Sequence, residues 1–481
     1  MYYVTLAGFS IYAIAAPHSI AGSWGGISLV ILGWVIRAIV TRSTGLRRTV
    51  FDLPLSLFFG WTVLSSIFSI EPRLSIPKLI NVATLLMFYL AQAMLTRRLI
   101  IIVAVTLVIS AAAGVLWGAG ELILGRGVTV AGLSGESFLR TETPLREGDV
   151  VWRVNGRRVS SVAEIDAQIK ATPASQRVRL SVISRGEHVE WPGPIVSETT
   201  RGTASPSGIT GGGPSHRFRA SGWTRHYETF AEMLQIIGQL ALGFALINWL
   251  RRSENKRLSR AILATVAFLI IASGIVLTAM RTTLLAFVFG MLVTAWRATV
   301  STRQRMVLAA LALVIVALGG LAVWRTRAGG ALALQDPSAS LRVQVAAIAA
   351  RRTTLHPILG HGMDAVHAHW NEWGFPGKDM LDAHSTPIQI AFDRGLPALA
   401  LWIWLMFTFW RAVSQGEIRT RNDTTAVHGF SLGVIGALAG FLASSLVNYN
   451  FGDSEVALLL WWMMAAVVVI AGSAQKHEVP D

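Results

Sequence analysis

The chain has 481 residues, of which 53% are hydrophobic and only 14% are charged. Charged residues make up about a quarter of an ordinary soluble protein, so the composition excludes that class and indicates a membrane protein. The 42 Lys and Arg against 27 Asp and Glu give a net charge of +15, which membrane topology explains without a nucleic-acid partner. The chain has no cysteine, which excludes disulfides, thiolate metal sites and cysteine nucleophiles.

A helix needs about 20 apolar residues to cross the hydrocarbon core of a bilayer. The sequence offers about twelve such segments, predicted near 3–16, 19–40, 54–70, 77–95, 99–121, 229–250, 261–280, 283–300, 307–324, 386–410, 428–448 and 456–473. The first segment lacks a basic region before it and leads directly into the second, so we expect no cleavable signal peptide. The predicted fold class is an all-α polytopic membrane protein.

Basic residues mark one side of the predicted membrane helices. Clusters of Lys and Arg lie in alternate connections, at 42–48, 97–98, 251–260, 297–305 and 411–421. Because cytoplasmic loops carry an excess of Lys and Arg, this alternation predicts that both termini are cytoplasmic. The two long connections, 122–228 and 325–385, then lie on the extracytoplasmic side, where we expect the function.

The first long connection has the pattern of a small soluble module. Residues 145–156, Leu-Arg-Glu-Gly-Asp-Val-Val-Trp-Arg-Val-Asn-Gly, predict a turn, an alternating strand and an Asn-Gly turn. Residues 160–170 predict a short amphipathic helix, with Ser161 as its N-cap and Glu164 closing a capping box. Residues 177–183 predict another alternating strand. The fold class therefore includes a small α+β extracytoplasmic insertion.

This module resembles the C-terminal two-thirds of a PDZ domain over residues 127–190, where a Leu-x-x-Gly-Asp-x-Ile-x-x-Val-Asn-Gly core precedes a helix and a strand. No Gly-Leu-Gly-Phe-type carboxylate-binding loop is found before the core, because the predicted fifth membrane helix occupies that place. Two roles stay open for the insertion. One is a protein partner bound by strand addition, and the other is a spacer or docking module.

These patterns divide the chain into six parts. They are membrane helices one to five (1–121), the PDZ-like module (122–196), a linker with a pre-helix segment (197–228), membrane helices six to nine (229–324), a large extracytoplasmic loop (325–385), and membrane helices ten to twelve with a cytoplasmic tail (386–481). Within the linker, residues 197–215 are rich in Ser, Thr and Gly and predict a flexible tether back to the membrane.

Arginines on the extracytoplasmic side depart from the topology rule and are therefore candidates for function. They are Arg219, Arg225, Arg281, Arg325, Arg327, Arg342, Arg351 and Arg352. Arg281 is the sharpest candidate because it interrupts an apolar run and so lies at or within the membrane surface, where an unpaired cation is costly. Two interpretations stay open: a snorkelling or ion-paired hairpin arginine, or convergent guanidinium groups that bind a phosphate or diphosphate.

The second long connection is rich in histidine. It holds His356, His361, His367, His369 and His384, five of the eleven histidines in the chain. A histidine near neutral pH can act as a general base. Metal binding by His361, His367, His369 and Asp364 is a competing interpretation, although their spacing follows no known metal signature. A solvated loop histidine is the third possibility for each residue taken singly.

Other motifs exclude two enzyme classes and predict local geometry. The chain lacks a helical His-Glu-x-x-His motif and a Walker A sequence, so the sequence predicts neither an intramembrane metalloprotease nor a nucleotide hydrolase.

Residues 356–362, His-Pro-Ile-Leu-Gly-His-Gly, predict a turn whose glycines permit positive φ or a close approach of another backbone segment. Gly395-Leu-Pro397 predicts a kink or break in the tenth membrane helix. Asp382 lies two residues before His384, a poor spacing for orienting it on a regular helix, so a solvated loop carboxylate is favoured.

An ordered set of motifs resembles the O-antigen ligase and polymerase superfamily. The motifs are Arg219-Ala-Ser-Gly222, Leu277-Thr-Ala-Met-Arg281, Leu341-Arg342, His356-Pro-Ile-Leu-Gly360-His-Gly362, Ala383-His384-Ser385 and Asp393-Arg-Gly395-Leu396. The resemblance spans residues 219–472 and extends to the helix number and to the large loop between helices nine and ten. The chain departs from the family in Ser385, Met280, Thr282 and Asp393, where Asn, Ser, Gly and Glu are usual. The PDZ-like insertion is a further departure.

The resemblance implies an inner-membrane glycosyltransferase that inverts the anomeric carbon and needs no metal or other cofactor. Such enzymes transfer a glycan from undecaprenyl diphosphate to an acceptor sugar hydroxyl at the periplasmic face, in lipopolysaccharide or surface polysaccharide biosynthesis. The resemblance assigns His384 as the catalytic base and Arg281 with Arg342 as a catalytic clamp on the diphosphate. Arg219 and Arg225 are expected as further substrate contacts.

Three alternatives stay open at this point. A ligase would use lipid A core as the acceptor, whereas a polymerase would use another lipid-linked glycan. A transporter or flippase of an anionic lipid-linked substrate is the rival from another class, and it would distribute ionisable residues near the bilayer midplane of several helices. Here the candidate arginines gather on one face instead.

Overall fold

The structure is a computed structural model that describes residues 2–475 except 136, 185–186, 217, 225, 252–254, 299–300, 304, 308, 311–312, 315–316, 319–320, 322–336 and 378–380. The chain divides into two compact units, one formed by Met1–Val115 with Ser221–Asp481 and the other by Leu116–Ala220. The predicted membrane segment 307–324 is only partly described. Arg225, Arg325 and Arg327 lie outside the described residues.

The first unit is built of helices. They are α1 (Tyr2–Ala15), α2 (Ile20–Thr41), α3 (Asp52–Phe68), α4 (Pro72–Lys78), α5 (Leu86–Met94), α6 (Arg97–Leu124), α10 (Tyr227–Leu250), α11 (Asn255–Leu277), α12 (Arg281–Ala298), α13 (Pro337–Thr353), α14 (Ala365–Ala368), α15 (Thr386–Thr420), α16 (Thr425–Ser445) and α17 (Ser454–Gln475). Two 3₁₀ segments, Leu79–Leu85 and Asn450–Gly452, join α4 to α5 and precede α17.

Eight helical segments in the described part of the chain are long and apolar enough to cross a membrane, and α1 and α3 are shorter apolar helices. The mostly helical, multi-span fold class is therefore confirmed. The count of about twelve spans stays a prediction.

Small residues allow three of these helices to pack closely. A Cβ on Gly243 of α10 would lie 2.2 Å from the carbonyl oxygen of Gly429 in α16, and one on Gly290 of α12 would lie 2.5 Å from that of Gly436. Lipid chains are as apolar as leucine, so membrane helices associate through such close packing and through interhelical hydrogen bonds. Both are present here, since the side-chain amide of Gln239 donates to the carbonyl of Phe287 at 2.7 Å.

Helix α15 is interrupted at Gly395, where φ is 81° and ψ is 170°. The turn at 356–362 docks at this break: the N–H of Leu396 donates to the carbonyl of Pro357 at 2.7 Å, and a Cβ on Gly395 would lie 1.9 Å from the carbonyl oxygen of Ile358. The predicted break in this helix is confirmed. The predicted turn is confirmed as well, with Gly360 at φ 72°.

The second unit contains a six-stranded antiparallel sheet. Its elements are β1 (Arg126–Leu133), α7 (Phe138–Glu142), β2 (Val150–Val154), β3 (Arg157–Arg158), α8 (Val162–Ala171), β4 (Arg177–Ser184), β5 (Glu187–Ile195), α9 (Glu198–Gly202) and β6 (Ile209–Ser215). The strand order is β5-β4-β2-β1-β6, with β3 paired to β2. Side chains from the strands and from α8 form a separate hydrophobic core.

Several local predictions for this module are confirmed. Strands β2 and β4 and helix α8 occur where the sequence predicts them, and Asn155 and Gly156 form the turn with positive φ. The hydroxyl of Ser161 caps α8 by accepting from the N–H of Glu164 at 3.2 Å. The returning bond of the box comes from the N–H of Ser160 to the Glu164 carboxylate at 2.8 Å.

One expectation for the edges of the module is wrong. Residues 197–215 were expected to form a flexible tether, yet they contain α9 and β6. Hydrogen bonding to β1 explains this correction, because a ladder partner offsets the low strand preference of glycine. At the other edge, α6 ends at Leu124 and β1 begins at Arg126, directly before the predicted core.

Candidate functional site

The loop that carries His384 is a tight turn directly before α15. Leu381 and His384 both have positive φ, 70° and 48°. The backbone N–H of His384 donates to the Asp382 carboxylate at 2.7 Å, and the ring Nδ1 lies 3.6 Å from the same oxygen. The favoured interpretation of Asp382 as a solvated carboxylate is therefore wrong, since the turn folds it back onto the histidine that it precedes.

Burial sets the protonation of this pair. It lowers the pKa of His384, with Asp382 opposing the shift and the nearby Arg342 charge adding to it. Burial also raises the pKa of Asp382. The ring Nε2 of His384 is buried and has no hydrogen-bond partner in the described part of the chain. The lowered pKa favours the neutral imidazole, whose Nε2 can accept a proton.

Arg342 joins this pair from α13. Its guanidinium donates to the Glu228 carboxylate at 3.2 Å, and Glu228 lies in the first turn of α10. Arg342 and Glu228 both act electrostatically on His384 and Asp382. The four residues form what we call the loop cluster. Glu228 was not predicted from the sequence, although an acidic residue in the first turn of a long apolar helix is a signal that could have found it.

Arg281 is the first residue of α12, and its segment is tied to the segment of His384 through Asn448. The Asn448 side chain donates to the hydroxyl of Thr282 at 3.2 Å. The Asn448 carbonyl accepts from the N–H of Thr386, at the start of α15, at 3.1 Å. Thr282, next to Arg281, and Thr386, two residues after His384, thus both bond to Asn448. Arg281 itself is half-buried.

Two weaker arginine candidates, Arg219 and Arg225, remain. Arg219 is half-buried and belongs to the second unit, in the segment that follows β6. Arg225 lies outside the described residues. Their assignment as substrate contacts stays a prediction.

A cavity of about 270 Å³ in the first unit adjoins the loop cluster at Asp382. Its lining combines acidic, basic and aromatic side chains, among them Lys78, Asp382, Asp393, Arg394, Tyr449, Asp453 and Trp461. Burial raises the pKa of Asp453 to about 7, and its carboxylate accepts from the hydroxyl of Thr229 at 2.9 Å. The cavity thus offers hydrogen-bonding groups next to the histidine's carboxylate partner.

Two of the remaining loop histidines, His361 and His369, contact aromatic and acidic side chains. His361 is stacked on Phe392, with the ring centroids 4.3 Å apart. His369 contacts Glu71 at 2.9 Å, and its bond with Glu372 raises its pKa. Asp364 pairs with a lysine at 3.0 Å. No three acidic or histidine side chains among the residues described are grouped so that they could hold a metal ion.

Two protein families match parts of the chain. Residues 266–403 match the O-antigen ligase family, and residues 114–183 match the PDZ domain. No curated protein matches the chain significantly. The chain therefore contains an O-antigen ligase domain and a PDZ domain, as its motifs predicted. The first matched range includes Arg281, Arg342 and His384.

Proposed function

We propose that this protein is an inner-membrane glycosyltransferase of the O-antigen ligase type. It transfers a glycan from undecaprenyl diphosphate to an acceptor sugar hydroxyl at the periplasmic face. The observation that supports this most is the loop cluster, in which the buried Nε2 of His384 has no hydrogen-bond partner among the described residues and the charge of Arg342 acts on the imidazole. Both residues lie in the range that matches the O-antigen ligase family.

In this proposal His384 is the general base. Its Nε2 takes the proton of the acceptor hydroxyl while the hydroxyl oxygen attacks the anomeric carbon of the donor. The bond from that carbon to the diphosphate oxygen breaks on the opposite side, so the configuration inverts. Asp382, at 3.6 Å from Nδ1, stabilises the imidazolium that forms and keeps the ring oriented.

Arg342 and Arg281 bind the diphosphate, whose negative charge grows as it leaves. Guanidinium groups hold phosphate oxygens with paired hydrogen bonds, and a preorganised cation is most effective where charge develops in the transition state. These two groups supply the positive charge, so the proposed reaction uses no metal ion. Glu228 holds Arg342 from its other side at 3.2 Å, and Arg219 and Arg225 are candidates for further contacts.

We assign the cavity beside Asp382 to the acceptor. Three carboxyl groups, those of Asp382, Asp393 and Asp453, line it together with Lys78 and Arg394, and carboxyl oxygens accept hydrogen bonds from sugar hydroxyls. Trp461 and Tyr449 add aromatic surface to the wall. An acceptor sugar in this cavity lies next to the carboxylate that contacts the base.

The test is transfer by the full chain in lipid nanodiscs, with purified lipid-linked glycan and either lipid A core or a second lipid-linked glycan. Mass spectrometry should detect a new glycosidic bond. His384→Ala should reduce the rate by about 10²–10⁴, the usual contribution of a positioned base, whereas the exposed His367→Ala should not.

The acceptor that reacts separates the two members of the class. Product with lipid A core identifies a ligase, and product with the second lipid-linked glycan identifies a polymerase. Movement of the donor across the bilayer without a new bond to either acceptor would instead favour a transporter and refute the proposal. Full activity in His384→Ala would refute the role of this histidine.

A further inference from the structure

Helix α10 carries a second carboxylate one turn after the partner of Arg342. Glu232 follows Glu228 by four residues, so the two side chains lie on the same face of the helix. Glu232 is 3% exposed, and α10 is long and apolar enough to cross a membrane. An ionisable group buried in such a helix is costly and therefore indicates a function.

One oxygen of Glu232 joins α10 to two other parts of the first unit. Its Oε1 accepts from the hydroxyl of Thr283 in α12 at 3.1 Å and from that of Ser444 in α16 at 2.5 Å. It also accepts from the side-chain amide of Asn448, just after α16, at 2.9 Å. All three donor residues are buried. The carboxylate thus fixes the orientation of the Asn448 amide.

Asn448 in turn contacts the segments of two candidate residues. Its amide donates to the hydroxyl of Thr282, directly after Arg281, at 3.2 Å. Its carbonyl accepts from both the N–H and the hydroxyl of Thr386, two residues after His384, at 3.1 Å each. A displacement of Asn448 would therefore reach the starts of both α12 and α15.

The start of α15 depends on Asn448 because the N-cap residue does not cap the helix. The side chain of Ser385 makes no capping hydrogen bond within the described chain. The first N–H groups of a helix have no partner inside the helix, and the carbonyl of Asn448 supplies one for the N–H of Thr386. The turn that carries His384 is therefore held from the end of α16.

We propose that Glu232 is a positioning residue for the transfer reaction. Through Asn448 it holds the starts of α12 and α15 together, so that Arg281 binds the diphosphate while His384 takes the proton of the acceptor. The inference rests on the proposed glycosyltransferase. It extends the site to α10, which lies outside the residues 266–403 that match the O-antigen ligase family.

The test compares Glu232→Leu with Gln239→Leu in the full chain in lipid nanodiscs. Gln239 is also buried in α10 and also bonds to α12, but to Phe287 at 2.7 Å and Thr294 at 3.2 Å, away from its start. Both substitutions leave buried polar groups unpaired, so both should lower the thermal unfolding temperature. Only Glu232→Leu should lower kcat, by about 10², the usual result of a misplacement of about 1 Å.

The KM of the acceptor and a conservative variant separate positioning from binding. The cavity assigned to the acceptor is lined by other residues, so Glu232→Leu should leave that KM within about twofold of its original value. Glu232→Gln keeps an oxygen that accepts from Asn448, and its kcat should stay within about threefold of that of the unmodified chain. If Glu232→Gln were as slow as Glu232→Leu, the role assigned to these hydrogen bonds would be wrong.

A double substitution tests the path through Asn448. Thr282→Val removes the hydroxyl to which Asn448 donates and keeps the shape of the side chain. Alone it should lower kcat less than Glu232→Leu does, and added to Glu232→Leu it should cause no further loss, because members of one hydrogen-bond network are not additive. A loss in the double variant equal to the product of the two single losses would show that the residues act independently and would overturn the proposal.

Hydrogen–deuterium exchange measures the same effect without an activity assay. Peptides that cover the first two turns of α12 and α15 should exchange faster in Glu232→Leu than in the unmodified chain, and at the original rate in Gln239→Leu. Unchanged exchange of both segments in Glu232→Leu would overturn the proposal.

The activity results separate failure of this inference from failure of the proposed function. Full kcat in Glu232→Leu together with an inactive His384→Ala would refute the positioning role and leave the proposed function intact. Equal losses of kcat in Glu232→Leu and Gln239→Leu would show that Glu232 only stabilises the fold. Absence of transfer by the unmodified chain would refute the proposed function and, with it, the role assigned to Glu232.

Discussion

Both units of the protein use a glycine to bring distant parts of the chain into contact, but with opposite results. In the first unit Gly395 lets the carbonyl of Ile358 approach the break in α15, and in the second Gly212 lets β6 lie between Val128 and Val162. The first contact supports a loop that leaves His384 Nε2 without a partner among the described residues. The second adds β6 to the sheet.

The difference shows that close packing alone does not identify a ligand site. In the module, the glycine contact lets β6 complete the hydrogen bonds along β1. In the first unit, the contact fixes the chain between Arg342 and His384 onto the helix that follows, while buried polar atoms of both residues stay unpartnered in the described chain. Unsatisfied buried groups need an explanation, and in the proposed mechanism the bound substrate provides it for these two residues.

The largest effect is expected from Gly395→Ala, which breaks the contact in the first unit. The φ of 81° with ψ of 170° is nearly restricted to glycine, and such strain alone costs about 1–3 kcal/mol. The new Cβ would also lie 1.9 Å from the carbonyl oxygen of Ile358. The turn must therefore leave α15, and we expect transfer activity to fall below detection in the nanodisc assay.

Gly416→Ala is the matched control for this variant. Gly416 lies in the same helix, and a Cβ there would meet only Cγ1 of Val467, at 3.9 Å. We expect the control to retain its activity and its thermal unfolding temperature. If Gly395→Ala kept full activity, the contact would not support the loop cluster, and the contrast with the module would disappear.

The next largest effect is expected from Arg342→Ala, which removes a cation from the loop cluster without touching the glycine contact. Loss of one preorganised group that stabilises transition-state charge lowers kcat by about 10²–10³. Arg342→Lys should recover part of this, because lysine keeps the charge but not the planar fork. The control is Arg351→Ala, an exposed residue of the same helix. Equal rates for Arg342→Ala and Arg351→Ala would contradict the clamp.

The sequence predicted the module well wherever its elements are local. The run from 145 to 156 places a strand and its turn side by side, and Ser161 with Glu164 marks the start of α8. Strand β6 could not be found in this way. Its glycine-rich sequence has little strand preference, and its paired residues in β1 lie 76 to 89 residues earlier in the chain, so only the tertiary structure reveals the pairing.

In the candidate site, too, local motifs were visible in the sequence and long-range contacts were not. The order of the motifs selected Arg281, Arg342 and His384 as candidates, and their catalytic roles stay predictions. The contact of Asp382 with His384 was missed because it depends on a positive φ of 48° at the histidine, which spacing arguments for regular helices do not consider. Glu228 was missed because it meets Arg342 across 114 residues.

The smallest effect is expected from Asp382→Asn, which tests whether the carboxylate acts on His384 through its charge. A base works in its neutral form, so activity should fall as the pH drops through the pKa of His384, which burial places below its ordinary value of 6.5. The Asp382 charge raises that pKa, so removing the charge lowers it further and moves the acidic limb of the pH profile to lower pH. We expect a loss of about tenfold in the maximal rate, because the neutral amide stabilises the imidazolium less. Rates measured between pH 4 and 8 give both the position of the acidic limb and the maximal rate. An unshifted acidic limb with the same loss of rate would show that Asp382 only shapes the turn, and the loop cluster would then depend on Arg342 and Glu228 for its electrostatics.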